Sequence, residues 1–237
     1  MKKILCIGNS FSQDATRYLE PIADGELYVR NCYIGGCSLK MHYDNIVADA
    51  VAYAYEKDAV ALERVALSDA LTREKWDYVT VQQVSHQSGQ YGSYEPYMRD
   101  VLAYVREKCP TAKIVFHRTW PYEIRSAHGG FVNYGCDRDE MQQAIVRATD
   151  RVAAHYGLPI IAAGDAVYKA ASLPEFDIDN GGESLYRDDH HLGLTYGRYL
   201  AGLCWYRFFT GKSAETVTFA PENTDPHKIA VLKQFIG

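Results

Sequence analysis

Two short stretches near opposite ends of the chain carry the side chains that nucleophilic chemistry requires. Gly8-Asn9-Ser10-Phe11-Ser12 comes directly after the apolar run Ile4-Leu5-Cys6-Ile7. A buried strand that ends in glycine and small polar residues aims one hydroxyl, that of Ser10, out of a sheet edge, where open α/β sheets build their sites. Asp188-Asp189-His190-His191-Leu192 supplies the complement, an acid three positions ahead of a histidine. A hydroxyl attacks a carbonyl only when a base takes its proton, and the base is oriented by an acid. Across a short turn the carboxylate of Asp188 reaches Nδ1 of His191 and leaves Nε2 free to face a hydroxyl. The same four residues are also metal-ligand material or a plain solvated loop. The lack of any H-x-H or H-x-x-x-H pair elsewhere argues against a metal.

Three further segments place polar or aromatic groups at strand ends. Tyr33-Ile34-Gly35-Gly36-Cys37-Ser38-Leu39 offers two glycines whose backbone can approach a ligand and present N–H groups, with Ser38 as the cap of the next helix. In Trp76-Asp77-Tyr78-Val79-Thr80-Val81-Gln82-Gln83-Val84-Ser85-His86 a strand ends in two amides, a hydroxyl and an imidazole. A side-chain amide there can donate to a developing oxyanion, and His86 either lines a site or sits in an exposed loop. His117-Arg118-Thr119-Trp120-Pro121-Tyr122 puts two aromatic rings beside a proline, so Trp120 and Tyr122 are expected to form a rigid substrate wall, with aromatics at the edge of the core as the alternative. Asn9 and His86 are assigned to the same wall. Helix capping near Ser10 is expected to fall to Ser12 or Asp14, which leaves Ser10 free for other work.

These segments need a scaffold, and the pattern of the chain supplies one. Short apolar runs at 3–7, 27–34, 77–82, 112–117 and 158–162 read as strands. Helical periodicity fits 13–23, 39–56, 67–75, 94–108, 137–156, 196–210 and a last helix near 226–235. Strands separated by helices imply crossovers and a mostly parallel sheet of five strands. Residues 58–65 fit either a short strand or a helix, and 172–186 read as a long loop delivering the acid–histidine segment. At 237 residues, nearly half of them apolar, the chain fits a single domain over 1–237 with a sizeable core. A net charge of −5 without any basic run argues against nucleic acid as a partner, and no stretch approaches the ~20 apolar residues of a membrane span. The apolar run after Met1-Lys2-Lys3 breaks at Gly8, too early for an export signal, so a cytoplasmic protein is expected. Six cysteines without framework spacing read as reduced and structural, except Cys37, which lies beside the Gly35-Gly36 segment of the suspected site. Nineteen tyrosines suit a cleft that holds sugars or other polyols. No G-x-G-x-x-G comes after a strand, so no nucleotide cofactor is expected, nor any other.

Five blocks in register, I-G-N-S-F-S, I-G-G-C-S-L, W-D-Y-V-T-V-Q-Q, H-R-T-W-P-Y and R-D-D-H-H-L…G-R-Y-L-A, run from Ile4 to about Trp205. In these the sequence resembles the GDSL/SGNH hydrolase superfamily, and within it a mostly bacterial branch carrying a domain of unknown function. The resemblance implies a flavodoxin-like, three-layer α/β/α sandwich and metal-independent ester hydrolysis. It matches Ser10 to the nucleophile, His191 to the base, Asp188 to the acid, and Ser10 and Gly36 to backbone donors of the oxyanion hole. The family's Gly-x-Asn block is absent, since Val84-Ser85-His86 has neither residue. Gln83 resembles the glutamine of acetylesterase-like relatives and is expected to complete the oxyanion hole, with Gln82 and His86 as rivals. The reading is a serine esterase that removes a small acyl group, such as acetyl, from a carbohydrate or other polyol. A non-catalytic ligand-binding protein and a metal-dependent hydrolase built on 188–191 are the alternatives; the oligomeric state stays open.

Overall fold

A computed structural model describes all residues 1–237. Five parallel strands form its centre: β1 (Lys2–Gly8), β2 (Leu27–Tyr33), β5 (Tyr78–Val81), β6 (Lys113–His117) and β7 (Ile160–Ile161). They lie in the order β2-β1-β5-β6-β7. Counted among themselves this is 2-1-3-4-5, the flavodoxin-like order, and its direction reverses between β1 and β5. Ligands of such sheets bind outside the carboxyl ends of the strands at that reversal, and Ser10 leaves β1 there.

The sheet has seven strands, not five, because β3 (Tyr53–Lys57) and β4 (Val60–Val65) extend it antiparallel beyond β2. The helix expected over 39–56 stops earlier, as α3 (Leu39–Ala48), where Asp49 turns left-handed at φ 44° and its N–H closes on the carbonyls of Asn45 and Ile46. Strand β3 has period two rather than 3.6, with Tyr53 and Tyr55 buried on one face. Asp58 and Ala59, both at positive φ, make the tight two-residue turn that joins the hairpin. Asp-Ala lacks the glycine that usually announces such a turn.

Alternate residues of β1 feed two cores. Ile4 and Cys6 pack under α1 (Ser10–Thr16), α2 (Leu19–Ala23), α7 (Ala163–Ala170), α8 (Tyr196–Thr210) and α9 (Pro226–Ile236). Leu5 and Ile7 pack on the other face with α3, α4 (Leu67–Arg73) and α5 (Tyr97–Lys108). Helix α6 (Arg138–Tyr156) contributes Met141 and Ile145 to the first core and Val152 and Ala153 to the second. The result is a three-layer α/β/α arrangement around a mixed sheet. Helix α7 lies outside the expected elements, because the strand before it is only two residues long and gives little periodic signal. No helix is long and apolar enough to cross a membrane.

Candidate functional site

At the carboxyl end of β1 the chain turns directly into α1, and Ser10 is the first helical residue. The cap is Asn9 rather than Ser12 or Asp14: its Oδ1 accepts the N–H of Phe11 at 3.0 Å. Ser12 instead donates its hydroxyl to the Asn9 carbonyl. As the first residue of the helix, Ser10 has no intrahelical acceptor for its own N–H. The Gly35-Gly36 turn gives a similar group, for Gly36 takes φ +63°, a conformation few L-residues adopt, and its N–H has no protein acceptor.

Asp188 and His191 form a local unit. Oδ1 of Asp188 accepts the backbone N–H groups of His190 (3.0 Å) and His191 (2.8 Å), which folds the four residues into a tight turn. Oδ2 accepts Nδ1–H of His191 at 2.9 Å. With Nδ1 carrying the proton, Nε2 is an acceptor, and it lies 2.8 Å from the Ser10 hydroxyl. Partial burial pushes the Asp188 carboxyl up, but the two backbone N–H groups and the His191 ring outweigh it and hold the group well below the usual carboxylate range. Asp188 therefore stays ionised at neutral pH.

A buried carboxylate that the sequence reading treated only as a spare cap brings these parts together. Asp14, one turn along α1 from Ser10, is fully buried. It accepts from Arg187 at 2.9 and 3.0 Å, from Arg198 at 2.8 Å and from the N–H of Leu192 at 2.9 Å. Leu192, the residue after His191, is thereby tied to the helix that carries the Ser10 hydroxyl. An Arg187 just before the acid and an Arg198 in the next helix are the signals in the sequence that point to it.

The other expected site residues are placed differently. Gln83 is 1% exposed and its amide is fully engaged. Its oxygen accepts the N–H of Leu39 and of Val84, and its nitrogen donates to the carbonyl and hydroxyl of Ser93. It fastens the start of α3, behind the Gly36 turn, and has no donor left for an oxyanion. Gln82 is buried as well, donating to Asn9 Oδ1 at 2.7 Å and accepting Nδ1–H of His117 at 2.9 Å. Burial pushes the His117 imidazole down to about 3, so it remains neutral. Asn9 completes the chain by donating to the Cys37 carbonyl. Its side chain serves the scaffold although the residue lies at the floor of the cleft.

Trp120 and Tyr122 are wholly buried and present no surface to a ligand. Trp120 stacks on Phe11 with ring centres 4.4 Å apart and donates its indole N–H to the His190 carbonyl. Tyr122 shares a hydrogen bond with Ser85 and backs the ring of His128. The expected aromatic wall is thus a support one layer behind the surface. His86 does reach the cleft, as do His128 and His190, which the sequence reading did not assign to substrate.

The cleft over Ser10 has a volume of about 380 Å3 and is bordered by Tyr33, Gly35 and Gly36 on one hand and by imidazoles on the other. Ligand atoms of Asp188, His190 and His191 lie close enough together to hold an ion. However, both carboxylate oxygens and both His191 nitrogens already have partners, so an ion there competes with the Ser10–His191–Asp188 relay.

Comparison with known proteins agrees with this architecture. No curated protein matches the sequence. Among solved structures, a protein of the DUF4886 family from Bacteroides uniformis ATCC 8492 is 37% identical, with a TM-score of 0.90 over 99% of this chain and 93% of its own. A candidate SGNH hydrolase from Slackia heliotrinireducens is 25% identical, with a TM-score of 0.60 over 88% of this chain and 98% of its own. A carbohydrate acetylesterase family member from Sinorhizobium meliloti, 14% identical, shares the fold with a TM-score of 0.56 over 90% of this chain and all of its own. The fold is therefore that of the SGNH hydrolases. The family model described as Domain of unknown function (DUF4886) matches residues 3–235, and the chain belongs to that family.

Proposed function

We propose that the protein is a serine esterase that releases a small acyl group from a carbohydrate or other polyol. The observation that carries this reading is the continuous relay from Ser10 Oγ to His191 Nε2 (2.8 Å) and from His191 Nδ1 to Asp188 Oδ2 (2.9 Å). In the first half-reaction His191 takes the hydroxyl proton as Ser10 Oγ bonds to the ester carbonyl carbon. Asp188, ionised, stabilises the imidazolium that forms. The carbonyl oxygen, now an anion, is met by the N–H groups of Ser10 and Gly36. The tetrahedral species collapses, the carbon–oxygen bond to the alcohol breaks, and His191 returns the proton to the departing alcohol. Water, deprotonated by the same imidazole, then hydrolyses the acyl-Ser10 intermediate and frees the acid.

A small acyl group is favoured by the modest size of the cleft, about 380 Å3 for acyl and alcohol portions together. The S. meliloti neighbour, from a carbohydrate acetylesterase family, gives this preference an analogy through fold alone. The test is labelling by an organophosphonate together with hydrolysis of p-nitrophenyl acetate. Wild type is expected to take up one label on Ser10 and to turn over the ester. Activity that survives intact in Ser10→Ala rules the mechanism out.

A further inference from the structure

The relay has a direction, and that direction divides the cleft. A base that returns its proton to the departing alcohol must face the alcohol's oxygen, so the alcohol lies on the His191 side and the carbonyl oxygen on the Gly36 side. From His191 a row of imidazoles leads away. His190 is next, with ring centres 3.9 Å apart, His128 stands 4.6 Å beyond His190, and His86 lies 6.5 Å beyond His128. All border the same cleft as Ser10. On the serine-esterase reading above, we propose that His86, His128 and His190 form the subsite for the alcohol portion of the substrate and select an uncharged, polyhydroxylated alcohol.

The chemistry of the row supports this choice. A neutral imidazole offers one donor and one acceptor, which matches a hydroxyl group that also does both. His128 is set in one tautomer: its Nδ1 accepts the N–H of Gly130 at 3.0 Å, so the proton sits on Nε2 and that atom is a standing donor. Neither ring nitrogen of His86 has a protein partner; Nδ1 of His190 is buried 3.6 Å from Asp188 Oδ1, which leaves its Nε2, also without a protein partner, as the atom for a ligand. Burial pushes the His190 imidazole down to about 4 and also lowers that of His86, which keeps both uncharged at neutral pH. The cleft is bordered by no Lys, Arg, Asp or Glu. A cationic or anionic alcohol finds no counter-charge there, and an aliphatic one finds polar rings.

The row is also held in place. Asp189, beside His190, accepts the N–H of Glu123 on its carbonyl and that of Ala127 on its carboxylate, which moors the loop carrying His128 to the loop carrying the base. Gly130 lets the next turn close over His86, for a Cβ at that position would lie 2.3 Å from the His86 Cβ. Tyr122 backs His128 edge-on with ring centres 4.7 Å apart.

The test compares two acetyl esters whose alcohols differ. Phenyl acetate has no hydroxyl beyond the ester oxygen, whereas a mono-acetylated methyl glucoside keeps three. His128→Phe preserves a ring against Tyr122 and removes both nitrogens. It is expected to lower kcat/KM on the glucoside about tenfold more than on phenyl acetate, mainly through KM, with a larger gap when combined with His86→Phe. Wild type is expected to prefer the glucoside to acetylcholine and to dodecyl acetate. Equal losses on both esters, or preference for the charged or the alkyl alcohol, overturn the subsite. A second readout does not need turnover. In Ser10→Ala, titration with methyl glucoside acetate is expected to shift the imidazole NMR signals of His128 and His86, and unmoved signals at millimolar ligand overturn it as well. Failure of the esterase reading is separately visible, as phenyl acetate hydrolysis that does not depend on Ser10.

Discussion

Two groups of polar side chains sit within a few residues of one another along the carboxyl edge of the sheet, and they do opposite work. Ser10 and His191 border the cleft with Asp188 behind the imidazole, each bonded to the next and ending at a hydroxyl that solvent or substrate can reach. Asn9, Gln82, Gln83 and His117 are buried to within 2% of full coverage, and every amide hydrogen bond they make runs to another part of the protein. Both sets use residue types found in catalytic sites. What separates them is whether the run of hydrogen bonds ends at a group open to the cleft, as at Ser10, or is enclosed by the fold on every side.

Mutation separates the two groups, and the largest effect belongs to the cleft. Ser10→Ala is expected to reduce ester hydrolysis by at least ~10⁴-fold while leaving the thermal midpoint nearly unchanged, measured by initial rates and calorimetry. A large fall in the midpoint would move Ser10 into the structural group.

Asp188→Asn comes next, with an expected loss in kcat of ~10³ to 10⁴ because an amide cannot hold His191 as a charged partner. The pH dependence has a fixed sign. The Asp188 carboxyl lies below its unfolded value, so its ionised form stabilises the fold fully above about pH 4, and this contribution is lost as pH falls toward the native value. The stability gap between wild type and Asp188→Asn is therefore expected to narrow on acidification below about pH 4. A gap that widens there contradicts the assigned hydrogen bonds.

Asp14→Asn probes the tie between the two groups. Removing a buried charge that faces two guanidinium groups is expected to cost about 3 kcal/mol of stability by denaturant titration. At temperatures where the protein stays folded, it is also expected to slow turnover by loosening Leu192 and with it His191. Stability loss without any kinetic change would show that the tie serves folding alone.

Gln83→Ala sharpens the contrast from the structural side. It strands the buried N–H groups of Leu39 and Val84, an expected cost of about 1–3 kcal/mol, with less than a tenfold effect on rate. A direct oxyanion donor would instead cost ~10² to 10³ in kcat with little change in stability.

Much of this is legible in the chain because it depends on near neighbours. The strand that ends at Gly8, the Asp188–His191 turn and the alternation of strands with helices are local patterns, and each governs geometry over a few residues. The strand Tyr53–Lys57 escapes because five residues are too few to separate period two from period 3.6, whereas 58–65, open between strand and helix, becomes the turn and strand β4. The Asp-Ala turn also lacks the usual glycine. Gln83 and Trp120 are misplaced by the sequence for a different reason. A side chain's type shows what it can bond to, but its actual partners, Leu39 and Ser93 for one and Phe11 and His190 for the other, come from distant segments.

Local sequence thus sets which groups can act and which turns present them, since strand endings and the acid–histidine turn need only a few adjacent residues. Which of those groups open onto the cleft depends on long-range packing. It closes the 181 positions between Ser10 and His191 through the buried Asp14, and it spends the amides of Gln82 and Gln83 on contacts that no local pattern encodes.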